Sequence, residues 1–127
     1  VKEFKFSFEK LDVWQNSRQF VKDVYLIIKK LPVEERYSIS NQLRRASVSV
    51  PSNIAEGSAR LSPKEQIRFI EYAFGSLLET YCQLQLCVDL EYISEQDITD
   101  CKNLVFTISK QLSAWKKSNQ NKLNTKP

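Results

Sequence analysis

Gln42, Arg45, Ser49, Asn53 and Glu56 follow one another at steps of three, four, four and three. That spacing places all five on one stripe of a helix. Ser76 and Glu79 lie at matching depth on the next helical stretch, which a connection of about five residues must fold back antiparallel. Two carboxylates and a guanidinium brought together could do acid–base or metal chemistry. Bundle di-metal sites, however, need Glu-x-x-His ligands, and the chain has no His. For the same reason it offers no Ser-His or Cys-His couple, and no Gly-rich phosphate-cradling loop is present. The expectation is therefore no catalytic residue, no metal ligand and no cofactor. Gln42, Arg45, Ser49, Asn53, Glu56, Ser76 and Glu79 read instead as an internal polar seam, with Arg45 paired to Glu79. Such a pair fixes register more than it adds stability, and losing one fully buried partner costs about 3–5 kcal/mol.

The elements that position this seam are helical. Only two Gly and four Pro punctuate 127 residues, which favours a few long helices. A first helix is predicted from Asp12, as N-cap, to Leu31, with a seam of Trp14, Ser17, Val21, Val24, Ile28 and Leu31 that Phe20 and Ile27 widen. A second runs from between Val33 and Ser38 to Gly57, read as a left-handed stop, with apolar positions Ile39, Leu43, Ala46, Val50 and Ile54 and with Pro51 kinking it. The competing reading of Pro51 is a break into two helices.

Ser62-Pro63-Lys64-Glu65 is a helix start, with Ser62 as cap. It opens a third helix to about Leu90 along Ile67, Ile70, Phe74, Leu77, Tyr81, Leu84 and Val88. Phe69, Tyr72, Ala73, Leu78 and Leu86 add a second apolar flank, more than one bundle core needs, and suggest a subunit interface. Ser94 caps a fourth helix along Ile98, Cys101, Val105, Ile108, Leu112 and Trp115.

The predicted fold is all-α, an antiparallel up-down-up-down four-helix bundle over residues 12–117. Residues 1–11 form an arm whose Phe4, Phe6 and Phe8 share one face of an extended segment. Residues 118–127 read as a disordered basic tail.

The net charge of +4 is a mild basic bias, which points weakly to an acidic partner such as nucleic acid. Arg18, Lys22 and Lys29 on the first helix, Arg36 and Arg44 at the second, and Lys116 and Lys117 on the fourth are the candidate phosphate contacts. For any one of them a solvated helix face is the competing reading. Ala46–Gly57 has the outline of a helix-turn-helix, but its turn lacks Gly and the adjoining helices are too long. Cys82, Cys87 and Cys101 have no CxxC spacing and read as small core residues of a reduced, cytoplasmic protein. No apolar run approaches the ~18 residues of a membrane span, and no signal-peptide pattern is visible.

Several segments carry a resemblance: Asp12-Val13-Trp14-Gln15, Gln42-Leu43-Arg44-Arg45-Ala46, Ser49 to Gly57, and Gly75-Ser76-Leu77-Leu78-Glu79-Thr80. Together they resemble the four helix bundle protein family, which includes the 23S rRNA intervening sequence proteins, sometimes labelled ribosomal protein. The resemblance covers about residues 8–116, and only Val50, for the commoner Ile, departs from the pattern. It implies a left-handed bundle, a homo-oligomer with a ring-like homopentamer foremost, and no known catalytic activity. Genes of the family often lie within insertions in large-subunit ribosomal RNA genes, and a related bundle is an accessory to a reverse transcriptase. The resulting expectation is a non-enzymatic oligomeric scaffold contacting RNA or DNA. The alternative is a protein-interaction adaptor for a nucleic-acid enzyme such as a reverse transcriptase.

Overall fold

The computed structural model describes residues 5–125. Four helices carry it: α1 Asp12–Ile28, α2 Ile39–Ser58, α3 Pro63–Asp89 and α4 Thr99–Asn124. Short 3-10 turns at Ser7–Lys10, Val33–Glu35 and Gln96–Ile98 precede α1, α2 and α4. Among the described residues there is no strand.

Each helix packs on two others, in the cyclic order α1, α2, α3, α4. The side-chain pairs across these seams run in opposite directions. Gln42 meets Gln83 and Ser49 meets Ser76 between α2 and α3. Asn16 meets Gln111, and Lys30 meets Asp97, between α1 and the start of α4. The fully buried centre is aliphatic, with Leu43, Val50, Ile54, Leu77, Leu84, Ile108 and Leu112 around Phe20 and Val24.

The core faces differ in detail from the heptad lines predicted. In α1, Phe20 and Ile27 are buried as expected, but so is Val13, while Trp14 and Val21 are half-buried. In α3, Phe69, Ala73, Thr80 and Cys87 are buried, whereas Ile67, Phe74, Tyr81 and Val88 are half-buried. The reason is geometric: α3 touches both α2 and α4, so its buried arc is wider than one seam and the predicted line follows its α4 edge. Tyr72, Leu78 and Leu86 remain on the surface, 49%, 46% and 47% exposed.

The ends of the helices have local causes. Ser62 Oγ accepts the Glu65 backbone N–H at 3.0 Å and Pro63 opens α3, as its sequence predicts. Asp12 is the first residue of α1 rather than its cap, which is Leu11 with no side-chain bond. α3 ends in a Schellman motif: Tyr92 N–H bonds the Cys87 carbonyl at 3.0 Å and Glu91 N–H the Val88 carbonyl at 2.9 Å. Glu91 takes the left-handed position at φ 63°. Ser94 and Asp97 then exchange bonds, Asp97 N–H to Ser94 Oγ at 3.2 Å and Ser94 N–H to Asp97 Oδ2 at 2.9 Å, to start the turn into α4.

The expectations for Gly57, the tail and the arm are corrected. Gly57 is not a left-handed stop; it lies inside α2 with no positive φ. It is glycine because a Cβ there would sit 3.0 Å from Phe69 Cβ and 3.4 Å from Trp115 Cη2, where α2, α3 and α4 close on one another. α2 is one continuous element with Pro51 inside it, so the competing reading of a break into two helices does not hold.

The expected tail is helix as far as Asn124, and Asn119 is buried at 1% exposure, donating to the Trp115 carbonyl at 3.1 Å. No Gly or Pro interrupts Ser118–Asn124, so extending an established helix costs little per residue. Residues 126–127 lie outside the described residues. In the arm, Ser7–Lys10 is a 3-10 turn rather than an extended segment, and it carries Phe8 against Trp14, ring centroids 4.8 Å apart. Phe6 is exposed, and Phe4 lies outside the described residues.

Candidate nucleic-acid interface

The polar stripe of α2 is not internal. Gln42, Arg45 and Glu56 are exposed, and Ser49 and Asn53 are half-buried. On α3, Ser76 is half-buried and Glu79 exposed. The face α2 turns to the core is Ser40, Leu43, Ala46, Ser47, Val50, Ile54 and Gly57, and it includes Leu43, Ala46, Val50 and Ile54 as the apolar spacing predicts. The stripe lies at the edge of that face, and its Gln42, Arg45 and Ser49 line an open groove of about 340 Å³ with Asn41, Ala46, Ser76 and Glu79.

Hydrogen bonds organise the groove floor. Ser76 Oγ donates to Ser49 Oγ at 2.9 Å, and Asn53 Nδ2 donates to both the carbonyl and Oγ of Ser49 at 2.9 Å. Gln83 Nε2 donates to Gln42 Oε1 at 3.3 Å. Arg45 and Glu79 share the groove but form no ion pair within 4.0 Å among the described residues, and Glu56 pairs with Arg60 at 3.9 Å. Exposed charges gain little from pairing against the entropy of holding two long side chains. The penalty expected for breaking a buried Arg45–Glu79 pair therefore does not apply.

The thiols carry no nucleophilic chemistry at neutral pH in the core. Burial pushes Cys87 up to about 11 and Cys101 up to about 12. Cys82, expected in the core, is exposed. Among the described residues no three His, Cys, Asp or Glu side chains gather as a metal site.

The basic candidates fall on several elements. Arg18, Lys22 and Lys29 are exposed on one outward face of α1, spanning about 16 Å. Arg18 lies over the Trp14 ring, 5.0 Å from its centroid. Arg36 is exposed in the connection to α2, 6.0 Å from the Tyr37 centroid, and Arg44 is half-buried on α2. Lys117 is exposed, whereas Lys116 is half-buried and engaged with Glu71 at 3.9 Å. These seven do not form one patch.

The outer face of α4 is the more coherent basic surface. Residues 101–127 hold six lysines and no Asp or Glu. Lys102, Phe106, Lys110 and Lys117 follow at steps of four, four and seven and are all exposed, opposite the buried Cys101, Val105, Ile108 and Leu112. Phe106 is 65% exposed, and Lys110 Nζ lies 4.5 Å from its ring centroid. Lys102, Lys110 and Phe106 were not among the sequence candidates. The signal was present as the acid-free run after Asp100, but a whole-chain net charge averages it away.

The chain matches the 23S rRNA-intervening sequence protein family over residues 9–114. It belongs to that family. The part matched to the 23S rRNA-intervening sequence proteins includes Lys102, Phe106 and Lys110 and stops short of Lys116 and Lys117. The fold of this 23S rRNA-intervening sequence protein is similar to the crystal structure of a protein of unknown function from the S23 ribosomal protein family of Bacteroides thetaiotaomicron VPI-5482. The TM-score is 0.75 at 26% identity, covering 83% of this chain and 98% of that one. Comparison with curated proteins gave no match. No helix of the described residues is long and apolar enough to cross a membrane.

Proposed function

We propose that this protein is a non-enzymatic, self-associating scaffold that holds RNA or DNA by its phosphates through the outer faces of α4 and α1. The observation that carries the reading is the segregation of charge on α4, where Lys102, Lys110 and Lys117 share a solvent face in a stretch without Asp or Glu. Each lysine that neutralises a phosphate releases a condensed counterion, so affinity falls steeply with salt. Arg18, Lys22 and Lys29 extend the basic surface on α1. Self-association, with a ring of five as the expected form, would multiply a modest face into one avid surface. The half-exposed Tyr72, Leu78 and Leu86 of α3 support an interface with another polypeptide.

The test is retention of labelled structured RNA and duplex DNA at two salt concentrations, with mass measured by light scattering in the same samples. The expected result is salt-sensitive binding by an oligomer. Replacing Lys102, Lys110 and Lys117 by Gln should lower the log–log salt slope by about 2–3 without lowering the melting temperature. An oligomer that retains nothing at low salt sinks the reading. The same α3 residues would then favour an adaptor that docks a protein partner such as a reverse transcriptase, in a complex insensitive to salt.

A further inference from the structure

We infer that the α4 face takes single-stranded rather than duplex nucleic acid, with one base stacked on Phe106. This rests on the phosphate-contact reading above and goes further by naming the form of the ligand.

Phe106 does not serve the core. Val105, Ile108 and Leu112 fill that side of α4, and Phe106 points away from them into solvent at 65% exposure. Lys102 lies one turn before it and Lys110 one turn after, each about 6 Å along the axis. An aromatic ring bracketed by cations matches the repeating unit of a single strand, a π-face followed by a phosphate. A duplex keeps its base faces inside the stack and offers the ring only backbone, so Phe106 would lose water without gaining a partner. The Lys110 ammonium over the ring is held by a flexible four-carbon stem, and a phosphate can draw it off and free that face for a base. With no carboxylate in the run after Asp100, no acid of α4 beyond that residue opposes a strand lying along the helix.

The experiment is fluorescence anisotropy on the full chain. The probes are a labelled 12-nucleotide single strand, the same sequence as a duplex, and poly-glutamate as competitor, at two salt concentrations. The single strand is expected to bind more tightly than the duplex. Phe106→Ala should weaken single-strand binding about 5- to 100-fold, the loss of one base stack, with the salt slope unchanged. Phe106→Trp should keep the wild-type affinity. Because Phe106 is outside the core, both variants should melt with the wild type, which a thermal scan checks.

Equal binding of single strand and duplex, with Phe106→Ala neutral, overturns the stacking inference and leaves phosphate contact standing. Equal displacement by poly-glutamate, with Phe106→Ala neutral, overturns it in favour of a general polyanion surface. Failure to bind any nucleic acid at low salt overturns both this inference and the function it rests on.

Discussion

Two glycines show how far a residue can be read without its surroundings. A missing Cβ in a sequence signals either a positive φ or a close approach, and nothing local separates the two. Gly57 is the second case, wedged against Phe69 and Trp115. Gly75 has nothing within 4 Å of where a Cβ would stand. The same substitution should therefore act with opposite sign. Gly75→Ala should stabilise the bundle by about 0.5–1 kcal/mol by removing backbone entropy from the unfolded chain. Gly57→Ala gains the same entropy but must shift a Cβ fixed to the α3 backbone, for a net loss of about 1–2 kcal/mol. Urea denaturation of the two variants against wild type checks both, and equal signs would contradict the packing described. Asn119 could not be placed from sequence for a related reason: a buried amide inside a polar run has no periodic signature.

At the scale of elements, starts were more legible than stops. Ser62-Pro63 and Ser94 act through side chains whose identity is visible, so α3 begins where expected and Ser94 anchors the turn into α4. The end of α3 is set by a backbone conformation that glycine usually supplies and Glu91 adopts here. A non-glycine residue in that region costs about 1–2 kcal/mol, while glycine costs entropy in the unfolded chain. Glu91→Gly is accordingly expected to stabilise by about 0.5–1 kcal/mol and raise the melting temperature; a lower one would mean that the Glu91 side chain makes a compensating contact. Four helices in the right order were readable because period 3.6 persists over long stretches. The rotation of α2 and α4 was readable too, with Leu43, Val50 and Ile54 and then Cys101, Ile108 and Leu112 buried as spaced; that of α3 was readable only in part, since a helix with two neighbours buries an arc that no single heptad line describes. The polar groove was found as a set of residues and misplaced in depth, because helical spacing places a stripe around α2 without saying how far a neighbouring helix covers it.

For the whole molecule, one closure is electrostatic and exposed to pH. Lys30 Nζ lies 2.8 Å from Asp97 Oδ1 and ties the end of α1 to the turn before α4. That bond, with the Ser94 N–H, holds the Asp97 carboxyl down at about 2, below its ordinary 3.8. A carboxyl depressed in the folded state contributes stability that is complete above the ordinary value and is lost as pH falls from about 4 toward 2. Wild type should exceed Asp97→Asn in denaturant midpoint at pH 6, and the gap should close by pH 2. A gap that is constant across this window would remove Asp97 from the acid response. The candidate site was legible only in part at this scale, because helix-by-helix reading of charge weighs what is present and overlooks where acids are missing.

That missing acid has a cost within the protein itself. Lys102, Lys110, Lys116, Lys117 and Lys122 repel one another along one helix whose acid, Asp100, stands in its first turn, and among the described residues the ion pair they make is that of Lys116 with Glu71 across the seam. At ionic strengths where the Debye length exceeds about 10 Å this self-repulsion strains α4. Added salt relieves it by screening, and a polyanion relieves it by neutralisation. Salt thus acts on this molecule with two opposite signs, firming the free fold while loosening its hold on nucleic acid.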